Sequence, residues 1–595
     1  MYRYTKLARG QIRLLQIQPN VQDDLLQCSL FNTTLAEARG KFNAISWAWG
    51  SDAGAQNSKC VMVDGKHLDV GPNLWAMLNA LRSRNVTGAI WIDALCINQD
   101  KSDPQEKNEQ IRVMVEIYET AKEVFVWLGE SADDSDYVLE TLSVDNTEAY
   151  TSVRFVRGLV ALLKRPWWTR TWIAQEFILN KRAPRMICGH TRSVSGEQLL
   201  SVWQSPGVQA AAVGTIRTWS ASHMSLVATH WLHNIRQSRH DMNEPYLRVN
   251  LRSALLWLKS FQVSEPRDKI YAALGLIEAP DRTQFAKDPG IHTDRAAPEV
   301  FRDTMVYLLK YEKTSTIFYD FPVGRYKDLD LPSWVLNFDL NTLKVIRSFV
   351  RLGDVTSDHL DSIREEVMIS EDRSALVVRG HRLDRIWRTL VFGSGLVPDW
   401  NDQDEHAKTL QMPPILHEIR RTIQDLNGCD QDQACPEPLW KTLIAGVYGS
   451  LAPHQRVDEI GLQQRFDELM AIPIAGAVGL PTRTLEDEEF RKYYLAVLNN
   501  FSSEPNILAM IVRTLTIGRS FVTGHSGCYG LSEPGAQVGD VVVLLFPDHF
   551  VPFVLRPVER GYEMVGVAYI PGPMLESAIA TIKADRTTLD SFTIV

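Results

Sequence analysis

The sequence predicts an α/β fold: an N-terminal parallel sheet with covering helices, then a largely helical region and a small antiparallel β domain at the C-terminus. Two apolar runs, AIWIDALCINQ (89–99) and EVFVWLG (Glu123–Gly129), are nearly uninterrupted, as expected of strands buried on both faces. Helical periodicity surrounds them. GPNLWAMLNALRSRN places Pro72 near a helix start and repeats Leu74, Met77, Leu78 and Leu81; the stretch after Pro104 repeats Ile111, Met114, Val115 and Tyr118. Strand, helix, strand, helix, strand between Phe42 and Gly129 is the order that builds a parallel sheet. Right-handed crossovers then bring the loops Ser46–Ser58, Ala94–Asn108 and the one after Gly129 to a single edge, where such sheets bind ligands.

The remaining elements follow in order. Residues 10–31 alternate and read as two strands around a turn at Pro19–Asp24. FNAISWAWG (Phe42–Gly50) is a strand running into a polar loop, and KCVMVDGKHLDV is a hairpin turning at Asp64–Gly65. After the acidic ESADDSD, the stretch RPWWTRTWIAQEFILNKR (Arg165–Arg182) reads as an aromatic helix beginning at Pro166, and MICGH (Met186–His190) as a closing strand. The expected division is 1–200 for the α/β module, with core motifs at 42–190. Behind it come a mainly helical 201–390, a helical and loop region at 391–510, and a β-rich 511–595 that forms a small antiparallel sheet or barrel.

Composition narrows the function classes. A chain of 595 residues is too long for one core, and about two to four domains are expected. A net charge of -9 lacks the basic footprint of a nucleic-acid binder. Seven dispersed cysteines point to reduced thiols, with the close pair Cys429 and Cys435 in a polar loop rather than a zinc site. With neither a signal peptide nor a membrane span in the pattern, a cytoplasmic protein is expected. Phosphate-loop, His-Glu-x-x-His and Gly-x-Ser-x-Gly patterns are missing, and a lone histidine such as His190 is more often structural than catalytic. No cofactor is expected.

Several polar residues fall near the loop edge. Ser46, Trp47, Trp49 and Gly50 end a strand: the hydroxyl and loop amides suit a ribose or phosphate and the indoles a base. Equally, Gly50 supplies a positive-φ turn and both indoles pack into the core. Asp93 sits inside an apolar run and must find partners, which suggests that it caps the neighbouring loop. Asn98 and Gln99 either read a ligand's amide or hydroxyl or cap the helix after Pro104. Arg170 binds a phosphate or pairs with Asp93. Trp168, Trp172 and Glu176 lie at i, i+4 and i+8 and would share one helix face, as core or as ligand platform. The bland reading of Glu176 is a surface ion pair with Arg170 or Lys181.

The ordered motifs FNAISWAWG, NLWAMLNALR, IWIDALCINQD, EQIRVMVEIYETAKEVFVWLG and RPWWTRTWIAQE resemble those of the fungal heterokaryon-incompatibility (HET) domain. EPRDKIYAALGL, LPSWV and the C-terminal GCYGLSEPGAQVGDVVVLLF resemble the accessory region of large proteins of that family. Departures are small: Trp47 stands where Tyr is usual, Leu95 where Ile is common, and Glu265 where Asp is usual. HET domains are similar to TIR domains, so the resemblance implies a TIR/flavodoxin-like module. Some TIR domains cleave NAD at the nicotinamide–ribose bond with a glutamate that follows a tryptophan on a helix, and Trp172-Ile173-Ala174-Gln175-Glu176 fits that pattern. Glu176 is then the implied catalytic residue, and NAD a substrate rather than a cofactor.

The resemblance also implies a role in allorecognition, ending in growth arrest or programmed cell death. Homo-oligomers or an allorecognition partner would belong to that role. The alternatives are a non-catalytic signalling scaffold, or a HET-fold enzyme acting on another nucleotide or small molecule in secondary metabolism.

Overall fold

The computed structural model describes residues 2–19, 25–49, 58–86, 88–99, 104–190, 192–215, 224–240, 249–259, 261–287, 295–313, 315, 317–321, 331–339, 367–391, 520–526, 529–533, 535–546, 551–570 and 573–595. The chain divides into two compact units, Met1–Ala286 with Gly290–Arg295, and Lys287–Pro289 with Ala296–Val595. Residue 200, the expected end of the α/β module, falls inside the helix Gly196–Gln204 of the first unit.

Among the described residues the first unit is built on nine strands: β1 (Gln11–Ile17), β2 (Leu26–Thr34), β3 (Phe42–Trp47), β4 (Lys59–Val63), β5 (Lys66–Val70), β6 (Ala89–Ile92), β7 (Glu123–Trp127), β8 (Arg185–Ile187) and β9 (Val194–Ser195). Their order in the sheet is β5-β4-β2-β1-β6-β3-β7-β8-β9. The parallel core expected from the apolar runs is present: β3 pairs in parallel with β6 and β7, and β7 with β8. Antiparallel strands flank it, because β1 and β2 form a hairpin whose first strand meets β6 antiparallel.

The helix Pro72–Ser83 turns Leu74, Met77, Leu78 and Leu81 inward, the stripe its spacing predicted, and Pro72 occupies its first turn. It leads into β6, and the helix Pro104–Thr120 leads from β6 to β7. The chain leaves β3 toward β6 on one side, whereas it leaves β7 toward β8 on the other. The C-terminal ends of β3 and β7 therefore border a switch point, the usual ligand crevice of an open α/β sheet.

Two expectations need correction. AIWIDALCINQ is not one strand: β6 stops at Ile92 and Asp93–Cys96 forms a helical turn. Asp93 Oδ1 accepts the N–H of Ala94 at 2.7 Å, which starts the turn and withdraws that group from the sheet. Nor is Arg165–Arg182 one helix. Pro166–Thr169 is a 3-10 turn, Arg170 is extended, and an α-helix begins only at Ile173 and ends at Ile178.

The second unit carries β10 (Met368–Ile369), β11 (Leu376–Val391), β12 (Ser520–Gly524), β13 (Tyr529–Ser532), β14 (Val541–Leu545), β15 (Val551–Val558), β16 (Gly561–Tyr569) and β17 (Asp590–Ile594). Apart from one parallel contact between β16 and β17 the pairings are antiparallel, as the C-terminal sequence suggested. β11 lies in the stretch expected to be mainly helical. It pairs with β14 through Gly380–Arg385 and with β12 through Ile386–Val391, so that β11, β12, β13, β16, β15 and β14 close on themselves. Ile386, Val522, Val542, Val554 and Ala568 pack inside. Cys429, Cys435 and the helical runs expected at 400–500 lie outside the described residues. Among the described residues Cys28, Cys60, Cys96 and Cys188 are free thiols, and no helix is long and apolar enough to cross a membrane.

A buried ion pair ties strand β1 of the first unit to the helix Pro104–Thr120. Arg13 on β1 reaches Glu106 with both terminal nitrogens, at 2.6 and 2.8 Å, and donates to the carbonyl of Cys96 at 3.2 Å. Glu106 also accepts the backbone N–H of Asn98 at 3.1 Å. Burial alone would push the Glu106 carboxyl up, but the Arg13 hydrogen bonds and charge, with the Asn98 bond, hold it below its ordinary range. Removing one partner strands the other. Arg13→Ala is expected to cost about 3–5 kcal/mol in urea unfolding, whereas Arg13→Met with Glu106→Leu should recover most of that loss.

Candidate functional site

The site begins where β3 ends. Ser46 and Trp47 are its last residues, paired with Val126 and Trp127 of β7. Facing them is the Pro166–Ile178 stretch, whose shape is set by a distant residue. Gln262 donates its N–H to the Thr169 carbonyl at 2.6 Å and accepts the N–H of Thr171 at 2.9 Å. These backbone groups would otherwise serve a continuous helix, which is why the helix restarts at Ile173. Trp168 therefore does not share a face with Glu176. Its indole is buried, donates to the Leu162 carbonyl at 3.1 Å and meets Trp167 edge-on at 4.7 Å.

Trp167 takes the place expected of Trp168. Its Nε1 donates to the Ser46 hydroxyl at 2.6 Å, and that hydroxyl donates in turn to Glu176 Oε2. Arg170 donates to the Trp47 carbonyl, and its guanidinium lies 3.5 Å from the same Glu176 oxygen. Two of the sequence readings are overturned here. Arg170 pairs with Glu176 rather than with Asp93, and Glu176 is no surface ion pair, because it is only 2% exposed. Burial pushes its carboxyl up, the Arg170 charge and the Ser46 hydrogen bond pull it back, and the Asp93 charge pushes it up again, with a net rise. Tyr118, whose hydroxyl donates to the Ile45 carbonyl at 3.4 Å, is raised well above its usual range by burial and by the charges of Glu176 and Asp93.

Asp93 organises the neighbouring indoles. Oδ1 accepts from Trp47 Nε1 and Oδ2 from Trp49 Nε1, both at 2.8 Å. The two rings stack with centroids 5.7 Å apart; Trp47 is buried, whereas Trp49 is 49% exposed. The Asp93 side chain thus bonds the Ala94 N–H within its own turn rather than capping the neighbouring loop, and the carboxylate also fixes an aromatic surface. Asn73 supports the same end of β3 by donating to the Ala48 carbonyl at 2.8 Å and accepting from Trp127 Nε1 at 2.8 Å.

Ser46, Trp47, Trp49, Asp93, Arg170 and Glu176 are thus linked through shared partners. The other sequence candidates are placed differently. Asn98 gives its backbone N–H to Glu106 in the first turn of the helix Pro104–Thr120, and the Gln99 side chain returns to the Asp93 carbonyl at 3.1 Å. Trp172 points its Nε1 to Asp268 Oδ2 at 3.1 Å, not to the Glu176 cluster. Gly50 lies outside the described residues. Among the described residues no three His, Cys, Asp or Glu side chains could hold a metal.

Reading the sequence missed Trp167, Gln175 and Asp268. The Trp167–Trp168 doublet offers no cue to which indole meets Ser46. Gln175 and Asp268 act across a long separation: Gln175 Nε2 donates to the carbonyls of Tyr271 at 3.2 Å and Ala272 at 2.9 Å. The far end of the Ile173–Ile178 helix is closed by Arg236, which donates to the carbonyls of Phe177, Ile178 and Asn180 at 2.9, 3.2 and 2.6 Å. A covalently distant segment therefore holds both ends of the helix that carries Glu176.

Residues 42–176 match the family described as Heterokaryon incompatibility protein (HET). The chain is also 24% identical to Heterokaryon incompatibility protein 6, OR allele, of Neurospora crassa, over 95% of this chain and 93% of that protein. The chain is a HET-domain protein. Its HET segment opens on the first residue of β3 and closes on Glu176, so the Ser46–Arg170–Glu176 cluster lies within it. The groups that brace that cluster, Gln262, Asp268 and Arg236, lie beyond it. No solved structure matches the chain.

Two measurements test this bracing. Burial pushes the Asp268 carboxyl up to about 6, against the pull of the Trp172 hydrogen bond and the Arg267 charge. A raised pKa means the folded state binds the extra proton. Asp268 thus stabilises fully below its ordinary pKa near 3.8, and that contribution is lost as pH rises through about 6. The full loss is up to about 3 kcal/mol, reduced by the solvent that reaches this half-buried group. Asp268→Asn keeps an acceptor for Trp172, and should show a smaller fall in unfolding free energy between pH 4 and 7 than the native chain. Gly275 packs against Gln175: a Cβ there would lie 2.1 Å from Gln175 Nε2. Gly275→Ala is expected to lose about 1–3 kcal/mol of stability, because Gln175 cannot yield without releasing two carbonyls.

Proposed function

We propose that this HET-domain protein acts in heterokaryon incompatibility, and that its HET module acts as a cytoplasmic, TIR-like enzyme cleaving the nicotinamide–ribose bond of NAD. The incompatibility role follows the name of the Neurospora crassa relative, which aligns along nearly the whole chain. The catalytic reading is carried by one observation: a carboxylate, a hydroxyl and a guanidinium joined at the C-terminal end of β3, beside the sheet's switch point. A carboxyl raised by burial and held by fixed donors is a candidate functional group.

The chemistry assigns each residue a task. As the bond from ribose C1′ to the nicotinamide nitrogen breaks, its electron pair leaves with neutral nicotinamide, and positive charge develops on the sugar ring. Water then adds at C1′ and gives ADP-ribose and a proton. Glu176 must be ionised to stabilise that charge, and Arg170 and the Ser46 hydroxyl favour the ionised form against the rise that burial imposes. Trp49, half exposed and fixed by Asp93, offers a stacking face for a base.

A non-catalytic scaffold is the second reading. It is favoured by the near-complete burial of Glu176 and by the engagement of its Oε2 with Ser46 and Arg170. Under it the cluster braces a surface for copies of the chain or an allorecognition partner. Incubation of the purified full chain with NAD, following nicotinamide release, decides between them. Turnover that falls at least about a hundredfold in Glu176→Gln supports the enzyme. No release at high protein concentration, with and without induced oligomerisation, overturns it. An incompatibility phenotype left intact by Glu176→Gln does so as well.

A further inference from the structure

The hairpin of β4 and β5 turns through Asp64 and Gly65, both at positive φ (49° and 71°), so Val63 faces Lys66 across a two-residue turn. Strand alternation buries Val61, Val63 and Val70 and leaves Cys60, Met62, His67 and Asp69 on the opposite face. Cys60 pairs with Asp69 and Met62 with His67, which makes Cys60 and His67 diagonal neighbours on that face. The Cys60 Sγ lies 3.0 Å from His67 Nδ1, near enough for the thiol to donate to the ring nitrogen. Tyr2 donates its N–H to the His67 carbonyl at 2.8 Å and steadies the strand.

The other described thiols are placed differently. Cys28 and Cys96 are buried, and burial pushes both up to about 12. Cys188 is also buried, with its sulfur 2.9 Å from the Arg165 guanidinium. Cys60 alone among these four combines solvent access with a base. Among the described residues no third His, Cys, Asp or Glu joins the pair to make a metal site.

We propose that Cys60 is a nucleophilic thiol, with His67 as its proton acceptor, that is modified by small disulfides. The Cys60 proton passes to His67 Nδ1, and the thiolate attacks one sulfur of the disulfide. A Cys60 Sγ–S bond forms as the disulfide's own S–S bond breaks, and the departing thiolate carries away its electron pair and can take the proton from His67. The redox count balances: the disulfide's second sulfur is reduced to a thiol as the Cys60 sulfur is oxidised into the mixed disulfide.

The test treats the intact native chain with oxidised glutathione and follows each cysteine-containing peptide by mass spectrometry. Cys60 should be modified ahead of Cys28, Cys96 and Cys188, and His67→Gln should slow it at least about tenfold while the other cysteines keep their rates. His67 is exposed, so the variant should melt with the native chain. A Cys60 rate unchanged by His67→Gln overturns the proposal, and so does reaction at the buried thiols before Cys60. Iodoacetamide in place of glutathione separates nucleophilicity from disulfide preference: a His67-dependent rate with both reagents supports the dyad, and one with neither overturns it.

Discussion

A carboxylate almost wholly withdrawn from water must be given partners, and the HET segment is arranged around that need at Glu176. Ser46 supplies a hydroxyl proton, Arg170 supplies charge, and Trp167 fills the hydroxyl's accepting side. Each partner comes from a different local structure: a strand end, an extended residue and a 3-10 turn. None of the three could be shifted by a residue without leaving a buried polar group unsatisfied, so the geometry of β3 and of Pro166–Ile178 is coupled through one oxygen atom.

The bracing explains why a segment matching 42–176 is not the natural physical unit. The Ile173–Ile178 helix is very short, and isolated helices of that length do not persist in water. Its entry is fixed by backbone pairing to Gln262, its middle by Gln175 against Tyr271 and Ala272, and its exit by Arg236. The first compact unit accordingly runs on to Ala286. The motif EPRDKIYAALGL, which carries Asp268, acquires a physical task from this arrangement: it is part of the wall behind the site.

Much of the fold was legible because burial imposes a period. The β1–β2 hairpin, β3, the β4–β5 hairpin, the Pro72–Ser83 stripe and β7 all follow from alternation or from helical spacing. What was not legible depended on remote partners. Thr171 meets Gln262 across 91 residues, and no local pattern announces that a helix will be interrupted there. The strand in AIWIDALC ends because one carboxylate gathers an N–H and two indoles, although its apolar character continues. Within the site, Ser46 stood out at a strand end, Asp93 as a carboxylate inside an apolar run, and Arg170 as a charge in the aromatic stretch after Pro166. Glu176 was singled out by resemblance, and Trp167 by nothing in its sequence neighbourhood.

The ring in the second unit has a consequence for the order in which the protein can be made. β11 is a 16-residue strand, and its partners β12 and β14 are synthesised much later in the chain. A nascent chain must therefore carry a long, β-prone segment with both edges open while translation continues. Arg379, Arg382, Arg385 and Arg388 project from it as exposed residues at intervals of three. Like charges spaced along an open edge disfavour pairing between neighbouring copies. In the finished ring Arg379 bonds the Arg586 and Leu589 carbonyls and Arg382 the Tyr562 hydroxyl; before those partners exist, the same arginines would keep its longest strand soluble on the ribosome until β14 arrives to claim it.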